Sequence, residues 1–134
     1  MTGAANATGN LSCGGAKPFD IVSVLDSTKR MRHRCIESPK AINLYRYTLT
    51  CVAGTQTFPL PNYFEALNTA ATVHASPADC FGAAFGSCST DGSNTLTLVC
   101  NMAGTYNVTV YSDRNDKAAQ DEFAEFGVEY TPPA

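Results

Sequence analysis

Tryptophan is missing from this sequence, histidine occurs twice, and charged residues make up only 16% of it. No apolar run approaches the roughly 18 residues of a membrane-spanning helix, so no span is expected. The net charge of −3 is the wrong sign for a general nucleic-acid binder, and nucleic acid is not an expected partner. No two cysteines are spaced C-x-x-C, and only His33 and His74 could help them hold zinc. No metal and no cofactor is therefore predicted. There is no G-x-S-x-G, no H-E-x-x-H, no phosphate-cradling glycine loop and no EF-hand loop. No catalytic residue is assigned, and the chain is not expected to be an enzyme.

The six cysteines, Cys13, Cys35, Cys51, Cys80, Cys88 and Cys100, are many for a reduced compartment without a metal or redox motif. They predict three disulfides and an oxidising, extracellular setting. Six cysteines allow 15 pairings, with a local Cys80–Cys88 bridge favoured because it would close a short loop, FGAAFGS. Three N-glycosylation sequons, at Asn6, Asn10 and Asn107, point the same way. After Met1 there is no basic segment and no apolar core, only TGAANATGNLS. The chain reads as a mature form, with Met1 supplied for expression.

The 134 residues suffice for one domain with one sizeable core, and the apolar pattern says of what kind. Leu96, Leu98 and Cys100 alternate with polar residues, as do Tyr106, Val108 and Val110, and then Phe126, Val128 and Tyr130. Period two marks half-buried antiparallel strands. Asn107 falls on the face opposite Tyr106 and Val108, where a glycan would have to stand. Phe19 to Leu25 and Ile42 to Val52 read as two more strands, the second with Tyr45, Tyr47, Leu49 and Cys51 on one face. Pro59 and Pro61 bar residues 58–61 from a central strand. Residues 62–73 read as one short helix, with Asn62 as cap, Glu65 in capping-box position and Tyr63, Phe64, Leu67, Ala70 and Ala71 as its stripe. Residues 113–122 are either helical or a hairpin loop. The expected organisation is a flexible glycosylated arm over 1–12, one disulfide-stapled domain over 13–131 and an extended tail over 132–134. The fold class is mainly β: an antiparallel β-sandwich with one short helix near 62–73.

Four of the nine Lys/Arg residues fall within Lys29 to Arg34. Such a run can be a solvated edge or loop that discourages strand pairing. It can equally be a contact site for an acidic partner. A dibasic processing site is a third reading, disfavoured by the nearby Cys35. Arg30, Arg32, His33 and Arg34 are the candidate binding residues. Residues 113–129, with six acids against two bases, complement the run in sign.

Leu96-Thr97-Leu98 followed by Gly104-Thr105-Tyr106-Asn107-Val108 resembles the E-to-F corner of immunoglobulin-like sandwiches. The resemblance covers about residues 94–130 and implies that Tyr106 is the corner tyrosine and Phe126 to Tyr130 the last strand. Val108 stands where that family has its inter-sheet cysteine, Met102 replaces the usual acidic residue, and the core tryptophan is absent. The disulfide framework is therefore this chain's own. Divergent sandwiches of this kind are similar to secreted and surface glycoproteins that pathogens present to host immune systems. The size, cysteine count and small polar residues also resemble cysteine-rich secreted fungal effectors.

The function expected is thus recognition of a host or partner macromolecule, in immune evasion or virulence. The partner is a cell-surface or secreted protein, or a sulfated glycan. The enzymatic alternative is a small secreted ribonuclease using His33 and His74 as general acid and base, with Glu65 as a nearby carboxylate. The cations crowded around His33, and the lack of anything to bring His74 to it, weigh against that alternative.

Overall fold

Residues 14–134 are described by a computed structural model and are mainly antiparallel β with two helices. The expected arm, with Asn6 and Asn10, and also Cys13, lie outside the described residues. The chain divides into two units, Met1–Glu37 and Ser38–Ala134.

In the first unit, β1 (Pro18–Val22) pairs antiparallel with β2 (Arg30–Arg34), placing Asp20 opposite Arg32 and Phe19 opposite His33. The strand expected over 19–25 stops at Val22. The Ser23 N–H turns to the Lys29 carbonyl (2.9 Å), and the Asp26 carboxylate accepts from both the Thr28 N–H (2.9 Å) and its hydroxyl (2.6 Å). Such an Asx turn gives the chain a local alternative to strand pairing. The basic run is therefore a strand of a two-stranded sheet and not a loop.

The second unit contains β3 (Ile42–Cys51), β4 (Gly54–Pro59), α1 (Phe64–Leu67), β5 (Asn68–Pro77), β6 (Ala84–Cys88), β7 (Thr95–Cys100), β8 (Gly104–Arg114) and α2 (Lys117–Phe126). Two three-stranded sheets form, in the orders β3-β8-β5 and β4-β7-β6, with every pairing antiparallel. Strands β3 to β6 alternate between the sheets, and β7 and β8 then enter as the middle strand of each. β4 is an edge strand, and Pro59 at its end interrupts no central ladder, as the prolines require.

The period-two apolar positions build the core as their spacing predicts. Leu96, Leu98 and Cys100 from β7 meet Tyr106, Val108 and Val110 from β8 in one buried cluster, with Cys51, Leu60 and Phe64. Tyr45, Tyr47 and Leu49 of β3 pack against it, half-buried. Burying a side chain such as Leu98 stabilises the fold by about 1.5–3 kcal/mol. The Tyr106 hydroxyl donates to the Met102 carbonyl (2.8 Å), so that position contributes a backbone atom and its side chain is free to vary.

Two expectations about the chain's local structure are corrected. The helix over 62–73 is a single turn, and residues 68–77 are strand β5. Asn62 does not cap it: Tyr63 occupies the N-cap position without a side-chain hydrogen bond. Glu65 does not reach back into a capping box either, but turns to the 89–94 turn. At Asn68 the backbone becomes extended while its side chain donates to the Phe64 carbonyl (2.8 Å). The β-branched Thr69, Thr72 and Val73 then pair with β8, across a bulge that puts Ala70 at φ +50°.

The strand expected at Phe126–Tyr130 does not form. Residues 117–126 are helix α2, opened by the Asp116 carboxylate accepting from the Ala119 N–H and closed by Gly127 at φ +62°. Five residues of alternation cannot outweigh an aspartate cap at one end and a glycine stop at the other. Phe126 and Tyr130 meet edge to face across that stop, at 4.8 Å between ring centroids. Residues 131–134 carry no regular structure and are exposed.

Candidate functional site

Side-chain alternation gives the β1–β2 hairpin two unlike faces. Arg30, Arg32 and Arg34 lie on one with Asp20, while Phe19, Ile21, Met31 and His33 lie on the other. Asp20 sits between two guanidiniums. Arg30 Nε donates to Oδ1 (2.7 Å) and Arg30 Nη2 to the Asp20 carbonyl (2.9 Å), while Arg32 Nη2 donates to Oδ2 (2.8 Å). Arg32 and then Arg30 hold the Asp20 carboxyl below the usual carboxylate range. Three guanidiniums against one carboxylate leave the face strongly positive. Two of the three are fixed in place. Among the described residues, Arg34 forms no ion pair.

Such a row can accept carboxylate or sulfate oxygens by charge-assisted, bidentate hydrogen bonds. On the reverse face the His33 ring lies 4.9 Å from that of Phe19, tilted by 39°. Phe19 and Ile21 remain close to half exposed. The four residues expected to bind thus share one hairpin, but His33 is on the opposite face from the three arginines.

Asp20 is the member of this site that the sequence reading passed over, as part of an apolar run. Its signal was a polar residue between Phe19 and Ile21, of opposite sign to a basic segment one turn away.

His74, directly after the expected helix, lies on the outer face of β5, with its ring edge-on to Tyr111 at 5.8 Å. It belongs to the second unit and His33 to the first. Glu65 accepts from the Ser89 hydroxyl and from the Gly92 and Asn94 N–H groups, and the Asn94 side chain accepts in return from the Glu65 N–H (2.9 Å). The Ser89 hydroxyl above all, with those two N–H groups, keeps its carboxyl below the ordinary range. A carboxylate so occupied fastens a turn. It is not poised to donate a proton. Asn107 is exposed on the outer face of β8, beside Thr48 and Ser76, as the alternation requires.

Of the cysteines, the described five are thiols in this structure. Cys35 is exposed and its sulfur meets the Lys17 carbonyl (2.9 Å). Cys51 and Cys100 are buried in the same core cluster, and the Cys51 thiol is directed at the Leu49 carbonyl (3.8 Å). Cys80 lies against the backbone of Gly104, and Cys88 lies at the far end of β6, opposite Leu96. The segment between Cys80 and Cys88, expected to be a short loop, is largely strand β6. No group of described residues is arranged to hold a metal ion, and no described helix is long and apolar enough to cross a membrane. No protein-family model matches the chain, and no curated protein or solved structure matches it significantly.

Proposed function

We propose that this chain is a secreted or surface glycoprotein domain that binds a host or partner protein through the arginine face of its β1–β2 hairpin, in immune evasion or virulence. One observation carries the reading: Arg30 and Arg32 are held in a fixed array by a single aspartate. Fixing the guanidiniums before encounter removes part of the ordering cost of binding. Arginine is also a residue that protein interfaces enrich. The partner presents an acidic surface, and sulfated glycans compete for the same face. Asn107, exposed on a sheet in the other unit, carries the glycan.

The two sheets are proposed to face one another as a β-sandwich that keeps the corner tyrosine of immunoglobulin-like domains. The shared cluster of β7 and β8 side chains and the Tyr106–Met102 hydrogen bond support this. A helix stands where that family has its last strand, so the likeness is one of packing and corner, with its own strand order.

The test is binding of the secretion-expressed domain to a panel of cell-surface ectodomains and sulfated glycans, across a salt series. Charge reversal at Arg30, Arg32 and Arg34 together should weaken capture by about tenfold or more and flatten its salt dependence. Unchanged affinity and salt slope would remove the site. Turnover of RNA that His33→Ala or His74→Ala abolishes, with the fold intact, would replace binding by hydrolysis.

A further inference from the structure

Three connections between the sheets meet at one end of the second unit: 52–53 after β3, 78–83 after β5 and 101–103 after β7. The register places them there, since Cys51 pairs with Gly104, Gly54 and Ala84 both pair with Cys100, and Pro77 pairs with Tyr106. Cys51, Cys80 and Cys100 gather at this end. Cys51 closes β3 in one sheet and Cys100 closes β7 in the other, each only 2% exposed, and the two lie 3.8 Å apart in the same buried cluster. Cys80 is engaged differently. The Tyr106 hydroxyl gives its proton to the Met102 carbonyl, and the Cys80 sulfur covers the bare backbone of Gly104.

We infer that Cys51 and Cys100 form a disulfide that ties β3 of one sheet to β7 of the other, with Cys80 remaining a thiol packed against Gly104. The local Cys80–Cys88 bridge is displaced by this assignment. β6 runs between that pair and separates its ends by about 13 Å at roughly 3.3 Å per residue, whereas bridged Cα atoms lie within about 7 Å.

The oxidant is a disulfide, either a small molecule such as oxidised glutathione or a disulfide-carrying oxidoreductase. One thiolate of the pair attacks it, forming a mixed disulfide and expelling one thiolate. The second thiolate of the pair then attacks the mixed bond, closing Cys51–Cys100 and expelling the other. Two electrons pass to the oxidant, which leaves as two thiols carrying the two protons. Burial, with the contact to Cys100, pushes the Cys51 thiol up to about 11. Thiolate is scarce there at neutral pH, so the bond closes while the chain is folding and not in the finished fold.

The inference needs only such an oxidant and does not depend on partner binding. The test refolds the full chain in a reduced and oxidised glutathione mixture, blocks free thiols with an alkylating agent under denaturing conditions, and digests with chymotrypsin. Tyr63, Phe81, Phe85 and Leu98 separate all four cysteines of this unit. A Cys51 peptide joined to a Cys100 peptide, with Cys80 alkylated, is expected. Alkylation of both Cys51 and Cys100, or either joined to another cysteine, would overturn the assignment. As a second readout, reductant should lower the Tm of the wild type and of C80A but leave C51A/C100A unmoved. A wild-type Tm indifferent to reductant would count against the bond even if the variants fail to fold.

Discussion

The hairpin of β1 and β2 and the two sheets that follow it are held together by opposite means. Three arginines and an aspartate define the first, two of the arginines in ion pairs open to water. No lysine or arginine occurs anywhere from Tyr47 to Asp113, and the sheets there close on leucine, valine, tyrosine and cysteine. Exposed ion pairs add little to stability, and a lone two-stranded hairpin is marginal in water. The hairpin's charges are therefore poorly explained as structural, and the uncharged interior of the sheets is poorly explained as anything else. That contrast is what the proposed recognition role of the hairpin would explain.

Substitutions can break this contrast, beginning in the sheets. Leu98→Ala should cost about 2–5 kcal/mol in chemical denaturation, because the cavity opens in the middle strand of its sheet. The inferred Cys51–Cys100 bridge would close a long loop and should contribute about 4 kcal/mol in the loop-entropy model, read as the difference between oxidised and reduced midpoints. Asn68→Ala should cost about 2–3 kcal/mol. Asn68 is 6% exposed and joins Asn43 (2.8 Å), Tyr45 (2.9 Å) and Ser112 (2.6 Å), all left short of a partner by its removal. Gly127→Ala should cost about 1–3 kcal/mol, with loss of helical circular dichroism, since φ +62° with ψ −147° suits glycine alone.

Asp20→Asn should do least to the denaturation midpoint and most to the arginines, releasing Arg30 and Arg32 as side-chain NMR would show. The same loss should follow acidification. Asp20 and Glu65 both have folded values below their ordinary ones. Their contribution is present above the ordinary carboxylate range and disappears as pH falls through those lowered values. Amide exchange at Gly92 and Asn94 should report Glu65. Loss of exchange protection there at neutral pH would sink its assigned role.

The sheets were the more legible half of the molecule. β7, β8 and β3 announce themselves because one face is buried and the other wet, so burial is written as alternation. β5 was hidden by a run, NYFEALNTAA, that suits a helix locally. Only pairing with β8 and the diversion of Glu65 to the 89–94 turn decide against it. β4 and β6 are short and rich in Thr, Gly and Ala, and little in them betrays a strand before its partner is known. At the hairpin the basic run was plain, but Asp20 was not, because a cross-strand ion pair depends on a turn whose length had to be known first.

The order of the strands bears on how the protein must be made. β7 and β8 are the last strands in sequence, yet each is the centre of its sheet. β3, β4, β5 and β6 have no hydrogen-bonded neighbour in the second unit until one of those two arrives. A nascent chain ending before Thr95 therefore has no sheet in this unit to form, and the fold's contacts, mostly distant in sequence, favour slow folding. Folding of the unit's sheets therefore waits for β7, and the sheet of β3 and β5 waits further for β8.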